Sequence, residues 1–145
     1  MKSYSSNDIK RYNHLHGEIE ATYHESSLKF GISDSVNKIL YTICSSGDSF
    51  LLNDICRDTG LTKQTVNSAL RKLEGDGLIY LEAVDGKSKQ VCLTEEGKHY
   101  AGKTVSRLIE IENAIFDSWP DEDVQKYLEL TERFLKDLAE RVEQI

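Results

Sequence analysis

The sequence predicts a mainly α-helical protein with one small β-hairpin, and three features of its 145 residues carry that prediction. A single proline, Pro120, leaves long stretches free to be helical. Large side chains recur three and four residues apart over most of the chain, the period of an amphipathic helix. Only between Leu78 and Leu93 does the pattern become strand-like, around Asp85-Gly86, a dipeptide favoured in two-residue hairpin turns. The composition, 39% hydrophobic and 30% charged, is that of one compact domain, so residues 1–145 are expected to fold as a single unit.

The first helix follows from the stripe Ile9, Tyr12, His16, Ile19, Tyr23, Ser26, Phe30, and Gly31 stops it. Ser33 then caps a second helix that buries Val36, Ile39, Leu40 and Ile43 and ends in the polar loop Ser45-Ser46-Gly47-Asp48. A third, short helix is expected from Leu51 to Thr59 around Leu52, Ile55 and Cys56, closed by Gly60 as a left-handed C-cap. Thr62 caps the fourth, in which Val66, Leu70 and Leu73 face inward; a turn of 100° per residue puts Gln64, Asn67, Ser68, Arg71 and Lys72 on the opposite face. Gly75 and Gly77 end it. Strands follow at Leu78–Val84 and Lys89–Leu93. Thr94, with Glu95 and Glu96, starts a long helix through roughly Phe116, with Ala101, Val105, Leu108, Ile109, Ile115 and Phe116 on its apolar side. Pro120 opens the last helix, where Val124, Leu128, Thr131, Leu135, Leu138, Val142 and Ile145 form a heptad seam with one polar member. A strict seam of this kind faces another helix.

The net charge of −7 argues against a nucleic-acid partner only until it is located. Residues 1–107 carry 14 basic and 14 acidic side chains, whereas residues 108–145 carry 4 and 11. Within the neutral part, Leu61–Leu73 holds Lys63, Arg71 and Lys72 without an acid, and Gly86–Thr94 holds Lys87 and Lys89 without one. Two basic islands of this kind are what a phosphate backbone responds to. No apolar run approaches the ~20 residues of a membrane span, and the N-terminal eight residues lack the apolar stretch of a signal peptide. The protein is therefore expected in the cytoplasm, with no membrane partner.

Helix, Gly-containing turn, helix with a polar-basic face, then hairpin with lysines at its tip is the layout of a winged helix-turn-helix. A lone helix fits the major groove, where Asn and Gln pair with adenine edges and Arg or Lys with guanine, while a hairpin beside it reaches the minor groove. The expected DNA-binding residues are Gln64, Asn67, Ser68 and Arg71 at base edges or adjacent phosphates, Thr62, Lys63 and Thr65 at the backbone near the helix start, and Lys87 and Lys89 in the wing.

The stretch from Leu61 to Ile79 resembles the recognition helix and following strand of the MarR (multiple antibiotic resistance) family of transcriptional regulators, and Val91-Cys92-Leu93-Thr94-Glu95-Glu96-Gly97 resembles the family's second wing strand running into the next helix. The long N-terminal helix and the two long C-terminal helices extend the likeness to nearly the whole chain. The resemblance implies a winged helix-turn-helix over residues 33–98, flanked by N- and C-terminal dimerisation helices at 1–31 and 99–145. It further implies a homodimer on a pseudo-palindromic operator in double-stranded DNA, repressing neighbouring genes and released by a small-molecule effector bound between the two parts. One departure stands out: the family wing commonly carries Asp-x-Arg, and here Asp85-Gly86-Lys87-Ser88-Lys89 has no arginine, so the wing is expected to add less sequence preference.

Cys44, Cys56 and Cys92 are too few and too widely spaced for a disulfide framework or a paired zinc site and are expected to be structural thiols. His14, His16, His24 and His99 form no HExxH motif, so no metal or other cofactor is expected. Tyr12, His16, Tyr23 and Tyr41 are the side chains best suited to line an interhelical ligand pocket, against the simpler reading of core or dimer seam. No glycine-rich phosphate loop or Cys/His constellation supports an enzyme. The alternative to DNA binding is a winged-helix protein-interaction module whose acidic helices dock another protein.

Overall fold

A computed structural model describes residues 4–145; the part of the N-terminal reading that falls on residues 1–3 lies outside the described residues. The chain divides into two compact units, Met1–Leu108 and Ile109–Ile145. Among the described residues no helix is long and apolar enough to cross a membrane.

In the first unit, α1 (Asn7–Phe30) begins at Ser6, whose hydroxyl accepts the Ile9 N–H at 3.2 Å, and ends at Gly31 in the left-handed region at φ 71°. α2 (Asp34–Ser45) is capped by the Ser33 hydroxyl and buries Val36, Ile39, Leu40 and Ile43. Polar contacts tie the two helices together. The Asn37 side-chain amide donates to the Ser27 hydroxyl at 2.8 Å in the interior, and His24 meets the Asp34 carboxylate at 2.8 Å on the surface. Hydrogen bonds from Ser27 and then His24 hold the Asp34 carboxyl below its ordinary value.

Strand β1 (Ser49–Leu51) leads through a single 3-10 turn, Leu52–Asp54, into α3 (Ile55–Thr59) and α4 (Lys63–Gly75). β2 (Ile79–Ala83) and β3 (Lys89–Leu93) follow, then α5 (Glu95–Lys103). The sheet is antiparallel in the order β1-β3-β2, with Ser49 and Tyr80 both opposite Cys92. α2 and α4 pack together over this sheet, and Ile39, Leu40, Ile43, Ile55, Leu73 and Val91 are completely or almost completely enclosed. Each such side chain stabilises the fold by about 1.5–3 kcal/mol relative to exposure.

Two elements differ from the sequence reading. Leu51 belongs to a strand rather than to a helix starting there, and the hairpin is joined by a third strand, because residues 49–51 find β3 as partner and the Leu93 N–H donates to the Asp48 carbonyl at 2.9 Å. The single helix expected from Thr94 to Phe116 is two, α5 and α6 (Val105–Asp117), broken at Thr104 with φ −124° and ψ −94°. There the buried Thr104 hydroxyl donates to the Tyr100 carbonyl at 2.9 Å, a back-bond that bends helices, and its N–H turns to Ala101.

The second unit is the rest of α6 and α7 (Asp121–Glu143), with Pro120 at the N-cap. Phe116, Trp119 and Tyr127 hold this helical hairpin together, with ring centroids 5.3 to 6.2 Å apart. Val124 is half-buried, and no residue of α7 is buried.

Candidate nucleic-acid interface

α3, a tight turn and α4 form the helix-turn-helix. The turn is fixed by the buried Thr59 hydroxyl, which donates to the Ile55 carbonyl at 2.7 Å and accepts the Leu61 N–H at 3.2 Å, and by Gly60 at φ 71°. Thr62 then caps α4: its hydroxyl accepts the Thr65 N–H at 3.2 Å and donates to the Thr65 hydroxyl at 2.9 Å. With Val66, Ala69, Leu70 and Leu73 buried, the helix is locked in rotation. Gln64, Asn67, Ser68 and Arg71 consequently stand exposed on one face beside Lys63, and Thr65 is half-buried at the start.

The wing is built differently from the two-residue turn that Asp85-Gly86 suggests. Residues 84–88 form a wider loop closed by the Val84 N–H to the Ser88 carbonyl at 2.9 Å, and Gly86 does not adopt positive φ. One Asp85 carboxylate oxygen accepts the N–H groups of Lys87 and Ser88, both at 2.8 Å, so the side chain replaces the expected backbone turn. Those hydrogen bonds, Lys87 first, hold the Asp85 carboxyl below its ordinary value of 3.8. A lowered carboxyl stabilises the folded loop above its unfolded pKa and loses that contribution only as pH falls through the lower folded value, so the wing tip is constant between about pH 5 and 8. Asp85→Ala is expected to raise amide exchange at Lys87 and Ser88 several-fold, while Asp85→Asn, which keeps one oxygen, retains most of the protection; unchanged exchange in the alanine variant would show that the carboxylate does not order the tip.

Lys87 and Lys89 are exposed, and among the described residues neither they nor Lys63 and Arg71 are held in a salt bridge. Lys72 differs, because it pairs with Asp76 at 3.1 Å. Four free cations are therefore available to phosphates on a helix and a hairpin of the same unit. The three cysteines are free thiols, half-buried at 44 and 56 and buried at 92.

The residues suggested for a ligand pocket are not gathered into one. Tyr12 stacks on His16 at 5.8 Å, both exposed along α1 with Tyr23, and Tyr41 is half-buried against the core. None of the four lines the open-sided cavity of about 650 Å³ that lies between the N-terminus of α2 and the second half of α4. That cavity was not visible to sequence reasoning, because Ile32, Ser68, Asp76 and Tyr100 meet only in the fold.

Residues 30–90 match the model of the MarR family. No curated protein matches the chain by sequence. Among solved structures, the chain is similar to NMB1585, a MarR family regulator from Neisseria meningitidis, at 20% identity over 96% of this chain and 99% of that one, with a TM-score of 0.83. It is similar to S. aureus MepR in its DNA-binding conformation, at 22% identity, 92% and 99% coverage and a TM-score of 0.75. A third similar structure is NadR in complex with 4-hydroxyphenylacetate, at 18% identity, 96% coverage of each chain and a TM-score of 0.67.

Proposed function

We propose that this chain, whose residues 30–90 match the MarR family model and whose fold is similar to that of MarR regulators, is a homodimeric DNA-binding transcription regulator that represses neighbouring genes from a pseudo-palindromic operator and is released by a small ligand. The observation that carries the reading is the exposed row Gln64, Asn67, Ser68 and Arg71 on a rotationally locked helix, beside a wing with two unpaired lysines. Asn and Gln offer bidentate pairing to adenine and Arg to guanine, and Thr62, Lys63, Thr65, Lys87 and Lys89 supply backbone contacts. In a twofold dimer two such helices read half-sites about one turn, ~34 Å, apart. The similar MepR structure in a DNA-binding conformation and the similar NadR structure with a bound aromatic acid support the DNA and effector parts of the reading.

The test is an anisotropy titration of the protein against DNA from upstream of its own coding region, with unrelated competitor, at two salt concentrations. Saturable, salt-sensitive binding that survives competitor is expected. Arg71→Ala should lose about 1–3 kcal/mol and relax preference at one operator position, whereas Lys89→Ala should weaken binding to all sequences and reduce the salt slope by about 1. Equal loss on every DNA for Arg71→Ala would remove its base-reading role. Binding erased by competitor on upstream and genomic DNA alike would move the protein to the class of interaction modules.

A further inference from the structure

The three-stranded sheet has two edges, and they are not alike. β1 is blunted, because it is three residues long and passes at once into the 3-10 turn at Leu52. β2 is open. Tyr80–Val84 are all exposed, with Tyr80, Leu81 and Val84 at 45%, 41% and 52%. The strand contains neither the proline nor the lysine that commonly guards such an edge, and Glu82 is its single charge. The Thr94 N–H to the Leu78 carbonyl and the Val84 N–H to the Ser88 carbonyl fix the phase of the ladder. Tyr80 and Glu82 therefore exchange hydrogen bonds with β3, while Ile79, Leu81 and Ala83 turn their N–H and C=O groups to the free side. Among the described residues no backbone hydrogen bond joins that side of β2 to another part of the chain.

We propose that β2 pairs edge to edge with β2 of a second copy, antiparallel about a twofold axis at Leu81, and so joins the proposed homodimers end to end. The register follows from charge and length. A shift toward the turn sets Glu82 directly opposite Glu82 of the second copy, where like charges repel. The opposite shift leaves Ala83 facing Gly77, which lies outside the strand. Centred on Leu81, the pairing sets each Glu82 carboxylate opposite a Tyr80 phenol that can donate to it, and Ile79 opposite Ala83. It also prolongs the sheet's apolar row, since Phe50, Val91 and Leu81 stand side by side and Leu81 of the second copy comes next. Two five-residue strands bury far less than the ~1,200 Å² of a stable interface, so the contact is weak and takes effect where copies are crowded or held side by side. It shares no residue with the heptad seam of α7. Mutual support of copies on neighbouring DNA sites rests on the DNA-binding reading; the strand pairing does not.

The experiment is amide hydrogen exchange on the full, DNA-free chain, read residue by residue by NMR at two concentrations about twentyfold apart, the higher in the millimolar range where weak contacts form. Exchange at Leu81 and Ala83 is expected to slow by about twofold or more at the higher concentration, while Tyr80 and Glu82, already bonded to β3, change little. Leu81→Pro removes an outward N–H and spares the β3 ladder, and Leu81→Lys opposes two lysines across the axis, so each should abolish the concentration dependence. Protection retained at Tyr80 and Glu82 reports an intact sheet, and the lysine variant keeps the test decisive where proline disturbs the strand. Equal exchange at Leu81 at both concentrations, slowing that includes Tyr80 and Glu82 to the same extent, or a concentration dependence that survives in Leu81→Lys would each overturn the pairing. Full protection of Leu81 already at the lower concentration would place the edge inside the homodimer and overturn the end-to-end contact. Strand pairing by a protein that holds no specific DNA would sink the regulator reading and leave this contact standing, and specific DNA binding with no change at Leu81 would do the opposite.

Discussion

A Leu135→Glu/Leu138→Glu variant is expected to break the proposed homodimer, sedimenting as a monomer, and to lose the proposed operator binding by two orders of magnitude or more. α7 leaves Leu128, Leu135, Leu138 and Val142 between 41% and 65% exposed, and the spacing of these residues is the heptad seam legible in the sequence. α1 presents a stripe of its own, Ile9, Tyr12, Leu15, Ile19 and Tyr23, each at 40% exposure or above. Each is an exposed apolar stripe several turns long, and a stripe of that length marks an interface. Fully burying one leucine contributes about 1.5–3 kcal/mol, Leu135 and Leu138 still expose 65% and 49% of their surface, and a twofold interface counts each residue twice, so losing both removes about 3–7 kcal/mol of association before the cost of facing carboxylates is added. Specific binding falls with the dimer because one recognition helix reads only one half-site. Analytical ultracentrifugation and the operator titration check the two halves of the prediction separately. Lys136→Glu, on the polar side of the same helix, should leave the mass unchanged. A double variant that stays dimeric would place the interface away from the α7 seam.

What the sequence discloses about this fold is mostly local. Ser33, Thr62 and Thr94 are legible as caps because a short hydroxyl side chain followed by an apolar run has few other uses, and each accepts the N–H three residues on. Gly31 and Gly60 are legible as stops and adopt positive φ. The candidate DNA face is legible for the same reason, since the periodicity that buries Val66, Leu70 and Leu73 obliges Gln64, Asn67 and Arg71 to point away. Strand β1 escapes because three residues carry no period of their own and are defined by β3, some forty positions later. The break at Thr104 escapes because a threonine inside a helical pattern is ordinary until its hydroxyl is seen to take the Tyr100 carbonyl. At the wing tip, Asp-Gly has two solutions, a tight turn or a carboxylate bridge, and the dipeptide does not choose between them.

Gly97→Ala is expected to lower the melting temperature by about 10 °C, whereas Gly102→Ala in the same helix raises it slightly. By propensity alone both substitutions stabilise α5, by about 0.5–1 kcal/mol. Gly102 meets nothing within 4 Å of an added Cβ and should realise that gain. At Gly97 the added Cβ would overlap the Leu78 carbonyl oxygen and stand 2.9 Å from its carbon, so either the helix or the strand entry must move. The strand entry is held on both sides: the Leu78 carbonyl accepts the Thr94 N–H at 3.0 Å, and the neighbouring Gly77 carbonyl accepts the Thr94 hydroxyl at 2.7 Å. The helix is held too, because the Gly97 N–H donates to that same hydroxyl at 2.9 Å. Relief therefore breaks the cap of α5 or the junction between α4 and β2, and overpacking against an immobile backbone costs about 3 kcal/mol or more, well above the propensity gain. Since this junction sets the wing beside α4, the Gly97 variant should also bind DNA less tightly at temperatures where it is still folded, a loss Gly102→Ala should not share. Equal stabilisation by the two alanines would mean that α5 can shift away from Leu78 without cost, and that the wing is not fixed through this contact.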